Sequence, residues 1–186
     1  MSLPSDAPPP ALPPHYHLHI GYPPIEEYLH LRAASGLTPK TAAQGTAAVQ
    51  GSWFGCYVTY DGDCREEQAA GNSPPALTTG QPTTISPSTP TPTAPAVAMG
   101  RIIGDGGWYF HIADMAVLPE HQRKGLGQAI LQTLLARIRE AAPAGDPYVN
   151  LLADAPGRRL YRKNGFLESA PKEMGMGFVM VRGGDR

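Results

Sequence analysis

The segment 111-HIADMAVLPEHQRKGLGQAILQTLL-135 decides how the rest of the chain is read. Ala113, Met115 and Val117 alternate with more weakly apolar neighbours, and Pro119 closes the run, as prolines do at strand ends. Gly125 and Gly127 bracket Leu126 in a turn too tight for side chains at those two positions. From Leu126 onward, Ile130, Leu131, Leu134, Leu135 and Ile138 recur at helical spacing, with Gln128, Gln132, Arg137 and Arg139 opposite. A glycine turn that opens a helix aims unpaired backbone N–H groups, and the positive end of the helix dipole, at one point. With Arg123 and Lys124 beside it, that point suits an anion, above all a phosphate group.

A chain of 186 residues can hold one ordinary domain with a full core, and 41% apolar residues at a net charge of -1 indicate a soluble globular protein. Bulk nucleic-acid binding would need a basic excess that is lacking. Residues 101–186 nevertheless carry 12 of the 15 Lys and Arg against 9 acids, whereas residues 1–100 carry 3 against 7. Cys56 and Cys64 are too few for a zinc site or a disulfide framework, so reduced thiols are expected. The start of the chain has neither a basic stretch nor an apolar core of a signal peptide, and no run of about 18 apolar residues occurs. A cytoplasmic location with no membrane partner is the expectation.

Residues 1–14 are proline-rich and are expected to form a disordered tail before a single domain over residues 15–186. In HYHLHI, His15, His17 and His19 alternate with Tyr16, Leu18 and Ile20, which predicts a half-buried strand. Its three histidines can be a solvent-facing edge or metal ligands, and the lack of a neighbouring acid or cysteine favours the edge. Pro24 suits the first turn of a helix carrying Ile25, Tyr28, Leu29 and Arg32, ended by Gly36. Thr38 and Pro39 suit the start of a second, alanine-rich helix to about Val49. Trp53–Tyr60 reads as a strand. Residues 72–97 hold seven prolines, seven threonines and three serines, and no charge lies between Glu67 and Arg101. A mobile insertion over about residues 66–97 is expected. Strand Ala98–Ile103, a hairpin turn at Gly104–Gly107, and strands Tyr148–Ala153, Phe166–Leu167 and Met174–Arg182 complete the pattern, with a short helix from Pro156 to Asn164. The order predicts an α/β (α+β) fold with a mixed, mostly antiparallel sheet.

Gln122-Arg123-Lys124-Gly125-Leu126-Gly127 resembles the (Q/R)-x-x-G-x-(G/A) signature of the GCN5-related N-acetyltransferase (GNAT) superfamily, with Val117 and Pro119 standing as in that family's approach to the loop. A second stretch, Leu160-Tyr161…Gly165-Phe166, resembles the family's later L-Y-x-x-x-G-F segment, and the two motifs together cover about residues 111–166. The resemblance implies a central sheet of about six to seven strands flanked by about four helices and splayed between the fourth and fifth strands. Acetyl-CoA would lie in that gap.

On the same resemblance, pantetheine amides would pair with the backbone around Met115, Ala116 and Val117, the pyrophosphate would rest on Gln122, Arg123, Lys124, Gly125, Leu126 and Gly127, and Gln128 would be a further cofactor-binding residue. Tyr161 matches the family's general acid at the CoA sulfur, and Asp154 stands where many members have an asparagine that contacts pantetheine. Arg158, Arg162 and Lys163 are candidates for the 3′-phosphate, or else a solvated helix face. His111, six residues before Val117, is read on the face of Ala113, Met115 and Val117, as a candidate base or as a hydrogen-bonded core residue. Asp114 is read on the opposite face unless a bulge turns it. It can orient a base or bind an amine, or be a buried carboxylate held by backbone N–H groups. The implied activity is acetyl-CoA-dependent N-acetylation of a small primary amine by a monomer or homodimer, with no resident metal. The alternatives are a protein lysine or N-terminal acetyltransferase, a silent acyl-CoA-binding module, and an unrelated phosphate binder sharing only the glycine loop.

Overall fold

The computed structural model describes residues 11–62 and 94–170, which divide into two compact units, one reaching Leu152 and the other starting at Ala153. Residues 1–10, most of the 66–97 insertion, Cys64 and the strand expected at Met174–Arg182 lie outside the described residues.

In the first unit, β1 (Tyr16–Ile20), β2 (Phe54–Tyr60), β3 (Ala96–Gly104), β4 (Tyr109–Val117) and β5 (Tyr148–Leu151) form one sheet in that order. All neighbours are antiparallel except β4 and β5. β3 starts two residues earlier than expected, because Ala96, Val97, Ala98 and Met99 are all buried in the sheet. The β3–β4 hairpin is closed by Asp105, whose carboxylate accepts from the amides of Gly107 at 2.8 Å, Trp108 at 3.1 Å and Tyr109 at 3.2 Å.

Helices α1 (Ile25–Ala34) and α2 (Ala42–Gln50) precede β2, and α3 (Leu126–Ala141) follows β4. α2 begins later than the sequence suggests. Thr41, not Thr38, caps it, through a reciprocal pair in which Thr41 Oγ1 accepts from the Gln44 amide and Gln44 Oε1 accepts from the Thr41 amide. Thr38 instead offers its carbonyl to Arg32 Nη2 at 3.0 Å.

The core lies on both sides of the sheet. Leu126, Ile130, Leu131, Leu134 and Ile138 of α3 are buried on one side, beside Cys56, Val58, Ile102, Phe110 and Ile112. Gly100 permits close approach there, since a Cβ at that position would stand 2.7 Å from both Ile130 Cγ2 and Met115 Sδ. Tyr28 and Leu31 of α1 are buried on the other side. Cys56 accordingly has its thiol pushed up to about 12 by burial, which leaves it unreactive at neutral pH.

A bulge interrupts β4. Arg101 pairs with Ala113 and Met99 with Ala116, so Asp114 and Met115 together face the single residue Gly100. Asp114 takes the left-handed conformation, φ 53°. The extra residue reverses the alternation, so His111 and Ala113 share their face with Asp114 and Ala116. They do not share it with Met115 and Val117, which corrects the expectation from simple two-residue periodicity.

In the second unit, a 3-10 turn at Ala155–Gly157 leads into α4 (Arg158–Lys163), and Asn164 and Gly165 end it. Phe166 and Leu167 are not a strand; the Phe166 amide instead donates back to the Tyr161 carbonyl at 3.1 Å.

Candidate active site

The parallel pairing of β4 with β5 covers Tyr109 to Ile112 only, after which β4 runs on to Val117 with no further partner on β5. That divergence is the splay expected between the fourth and fifth strands. Past it, a 3-10 turn at Pro119–His121 leads to the glycine loop. Arg123 (φ 63°) and Gly125 (φ 85°) are both left-handed, and Gly125 is the N-cap of α3 with no side chain to occupy the helix end. Alternating left-handed residues at a helix start turn successive amides toward one concave point. A Cβ built on Gly125 would meet nothing within 4 Å, so the space above the loop is open. These features fit a pyrophosphate.

Side chains brace the loop from both ends. Gln122 Nε2 donates to the Val117 carbonyl at 3.1 Å, tying the loop back to β4. Lys124 Nζ donates to the Tyr16 hydroxyl at 2.9 Å and lies 5.6 Å from that ring's centre, while the same hydroxyl is 2.8 Å from His121 Nδ1. Lys124, read as a phosphate ligand, therefore also anchors the loop to β1. Met115 and Val117 present their side chains to the α3 side, and their backbones lie on the stretch of β4 beyond β5. Ala116 is buried on the opposite side. Leu126 is fully buried beneath the loop, and Gln128 is half-buried in the first turn of α3.

His111 is half-buried, with Nδ1 at 2.6 Å from Asn150 Oδ1 on β5. An amide oxygen only accepts, so this contact suits the tautomer that has its proton on Nδ1 and its acceptor at Nε2. Asn150 pairs directly with His111 in the parallel register but carries no motif in the sequence.

Asp114 is held differently from expectation. Its partners are not backbone N–H groups but Arg32 Nη1, Arg101 Nε at 2.5 Å and the Tyr28 hydroxyl. Burial by itself raises the Asp114 carboxyl, yet the Tyr28 hydroxyl and the Arg101 and Arg32 guanidiniums outweigh it and hold the group below the usual carboxylate range. Burial, with Asp114 adding to it, raises the Tyr28 phenol. Arg101 and Arg32 were missed as site residues, although Arg101 is the one charge within the apolar run AVAMGRIIG and Arg32 follows Tyr28 at i+4 in α1.

In the second unit, Tyr161 sits on α4, with its ring 6.0 Å from that of Phe166. Burial, then the Asp154 carboxylate, raises its hydroxyl above the usual phenol range. Asp154 stands at the N-cap of the 3-10 turn, but its side chain makes no cap bond. Arg158 and Lys163 are exposed, and Arg162 pairs with Glu168. His15, just before β1, and His17 on β1 share Asp61, each at 3.2 Å from one of its carboxylate oxygens, whereas His19 lies 2.9 Å from Thr59 Oγ1. Among the described residues no group of His, Cys, Asp and Glu could hold a metal ion, and no helix is long and apolar enough to cross a membrane.

Residues 94–168 match the family described as the acetyltransferase (GNAT) domain. A Staphylococcus aureus protein described as a "probable acetyltransferase" superposes with a TM-score of 0.67 at 27% identity, covering 89% of this chain and 99% of the other. A GNAT family protein of Streptococcus pneumoniae shares the fold at 20% identity and a TM-score of 0.57, over 90% of this chain and 98% of its own. An N-alpha-acetyltransferase of Sulfurisphaera tokodaii is 34% identical over 59 residues, which is 31% of this chain and 35% of that relative. The chain thus spans about a third of the curated relative it matches. The matched range holds the bulged strand, the glycine loop, α3 and the tyrosine segment, and over it the chain is similar to the acetyltransferase (GNAT) domain.

Proposed function

We propose that this chain is an acetyl-CoA-dependent N-acetyltransferase that acylates a primary amine of a small molecule. The observation that carries the reading is the divergence of β4 from β5 after Ile112, leading directly to the open glycine turn at the head of α3. Bound acetyl-CoA supplies the activated acyl group.

The chain's own residues supply the rest. The backbone of Met115–Val117 offers a strand edge for amides, and the loop amides from Arg123 to Gly127 would hold a pyrophosphate, the Gln122 amide being taken by the Pro119 carbonyl. Acyl transfer to an amine needs a lone pair on the attacking nitrogen, and we assign the taking of its proton to His111, directly or through water. The proton returned to the leaving thiolate falls to Tyr161. Its raised hydroxyl keeps the group protonated at neutral pH, as a donor requires. Asp114 is engaged by two guanidiniums and is held low, so it serves to shape the site and not to exchange protons near neutrality.

Acetyl-CoA should raise the melting temperature of the full chain, since a ligand at 100 times its Kd adds about 2.7 kcal/mol. An unchanged melting curve at millimolar acetyl-CoA removes the proposal. With an acceptor found by screening primary amines for thiol release, Tyr161→Phe and His111→Ala should each slow turnover roughly 10²–10⁴-fold at nearly unchanged acetyl-CoA affinity. Wild-type turnover in either variant strips that residue of its role.

A further inference from the structure

A cleft of about 310 Å³ opens on the His111 side of the sheet, between α1, α2 and the strands β3 and β4. Tyr28, Arg32, Lys40, Gln44, Arg101 and Asp114 line it. Three cations therefore face one carboxylate. Asp114 engages Arg32 Nη1 and Arg101 Nε; the remaining contacts are Arg32 Nη2 to the Thr38 carbonyl and Arg101 Nη1 to Ser52 Oγ, at 3.0 Å each. Arg32 Nε is buried with no hydrogen-bond partner among the described residues, on a side chain that is only 9% exposed. A buried, unpaired N–H on a cation is costly, which leaves Arg32 short of partners in the wall of the cleft. Lys40 stands at the rim, exposed and without an ion pair among the described residues.

The cleft is also in register with the proposed base. Arg101 lies opposite Ala113 and Ile103 opposite His111, and all four are on one face of the sheet. Successive same-face rows are roughly 7 Å apart. An acceptor whose amine reaches His111 would place a group a few bonds away over Arg101, Arg32 and Lys40.

We propose that this cleft binds an anionic group, a carboxylate or a phosphate, carried by the acyl acceptor, so that the substrate class is an amine bearing a nearby negative charge. This rests on the acetyltransferase reading for the word acceptor but not for the anion site itself. With coenzyme A saturating the glycine loop, propionate and inorganic phosphate are titrated separately into the full chain by calorimetry, against wild type and Lys40→Gln. Saturable binding of one of the two, weakened roughly tenfold in the variant, supports the site and says which anion it takes. No saturable binding, or binding indifferent to Lys40, overturns it. Thiol release is then compared for β-alanine against β-alaninamide and O-phosphoethanolamine against ethanolamine. A preference for the charged member of a pair supports the proposal, and a preference for the neutral members overturns it. Should no amine be acetylated while the Lys40-dependent anion binds, the anion site stands and the acetyltransferase reading is what fails.

Discussion

Replacing Asp114 by Asn isolates the charge at the centre of the bulge. Asparagine tolerates the left-handed conformation that Asp114 adopts at φ 53°, so the backbone should keep its course. What is lost is the anion between Arg32 and Arg101, whose side chains are 9% and 12% exposed against 11% for Asp114. Removing one partner of a buried ion pair costs about 3–5 kcal/mol, because the other charge is left behind. Here two cations are left facing each other. The amide oxygen can still accept one hydrogen bond, which keeps the loss inside that range and not above it. For a chain of this size each kcal/mol moves the melting temperature by about 2–4 °C, so the variant should melt roughly 6–20 °C lower at pH 7. The pH dependence carries its own sign. Asp114 has a depressed carboxyl, so its contribution is complete above the unfolded carboxylate value of about 3.9 and disappears as pH falls through the lower folded value. The gap between wild type and variant should stay level from pH 7 to about 5 and close below about 4. Calorimetry or circular dichroism at several pH values measures it. A gap under about 1 kcal/mol at pH 7, or one unchanged down to pH 3, refutes the network as the source of stability.

Two other substitutions test the sheet and the loop. Gly100→Ala adds a methyl 2.7 Å from Ile130 Cγ2 and Met115 Sδ and 3.2 Å from Leu134 Cδ1, and should cost about 1–3 kcal/mol in urea unfolding through overpacking; an unmoved midpoint means α3 does not approach β3 so closely. Gly125→Val adds a Cβ that meets no neighbour within 4 Å but must hold φ 85°, so folding should survive a loss of roughly 1–2 kcal/mol while the side chain fills the proposed anion cradle. Coenzyme A affinity should fall more than about tenfold, and retained affinity places the phosphates elsewhere.

Much of this architecture was legible because local chemistry and global fold agree. The apolar spacing in α3 needs no partner to be recognised, and neither do the glycines before it nor the Asp105 turn, whose three amide contacts are all local. Thr41 was passed over for Thr38 since both satisfy an N-cap preference. What separates them is Gln44 three residues after Thr41, whose side chain returns the bond. Asn150 and Arg101 could not be assigned at all without strand register, because their partners His111 and Asp114 lie on other strands or beyond a turn. The overall strand count falls short of the expected six to seven among the described residues, with five in one sheet and Phe166–Leu167 folding back on α4.

The bulge is where alternation misled, and it is also what makes the site. Without the inserted residue, strict alternation would carry Asp114 to the α3 side, among Ile130 and Leu134, where a carboxylate would find only apolar neighbours. With it, Asp114 turns beneath α1, and Arg32 and Arg101 can both be buried because one carboxylate offsets part of their charge. Met115 is released to pack against Gly100, which keeps α3 and its glycine loop close to β4. The extra residue in β4 therefore supplies the carboxylate of the cationic cleft on the face that His111 shares. Deleting Asp114 would restore regular pairing and leave Met115, Ala116 and Val117 opposite Gly100, Met99 and Ala98, on the faces they already hold. The cleft on the His111 side would then keep Arg32 and Arg101 with no carboxylate between them, so the cost of the deletion falls on that buried charge and not on the seat of the loop.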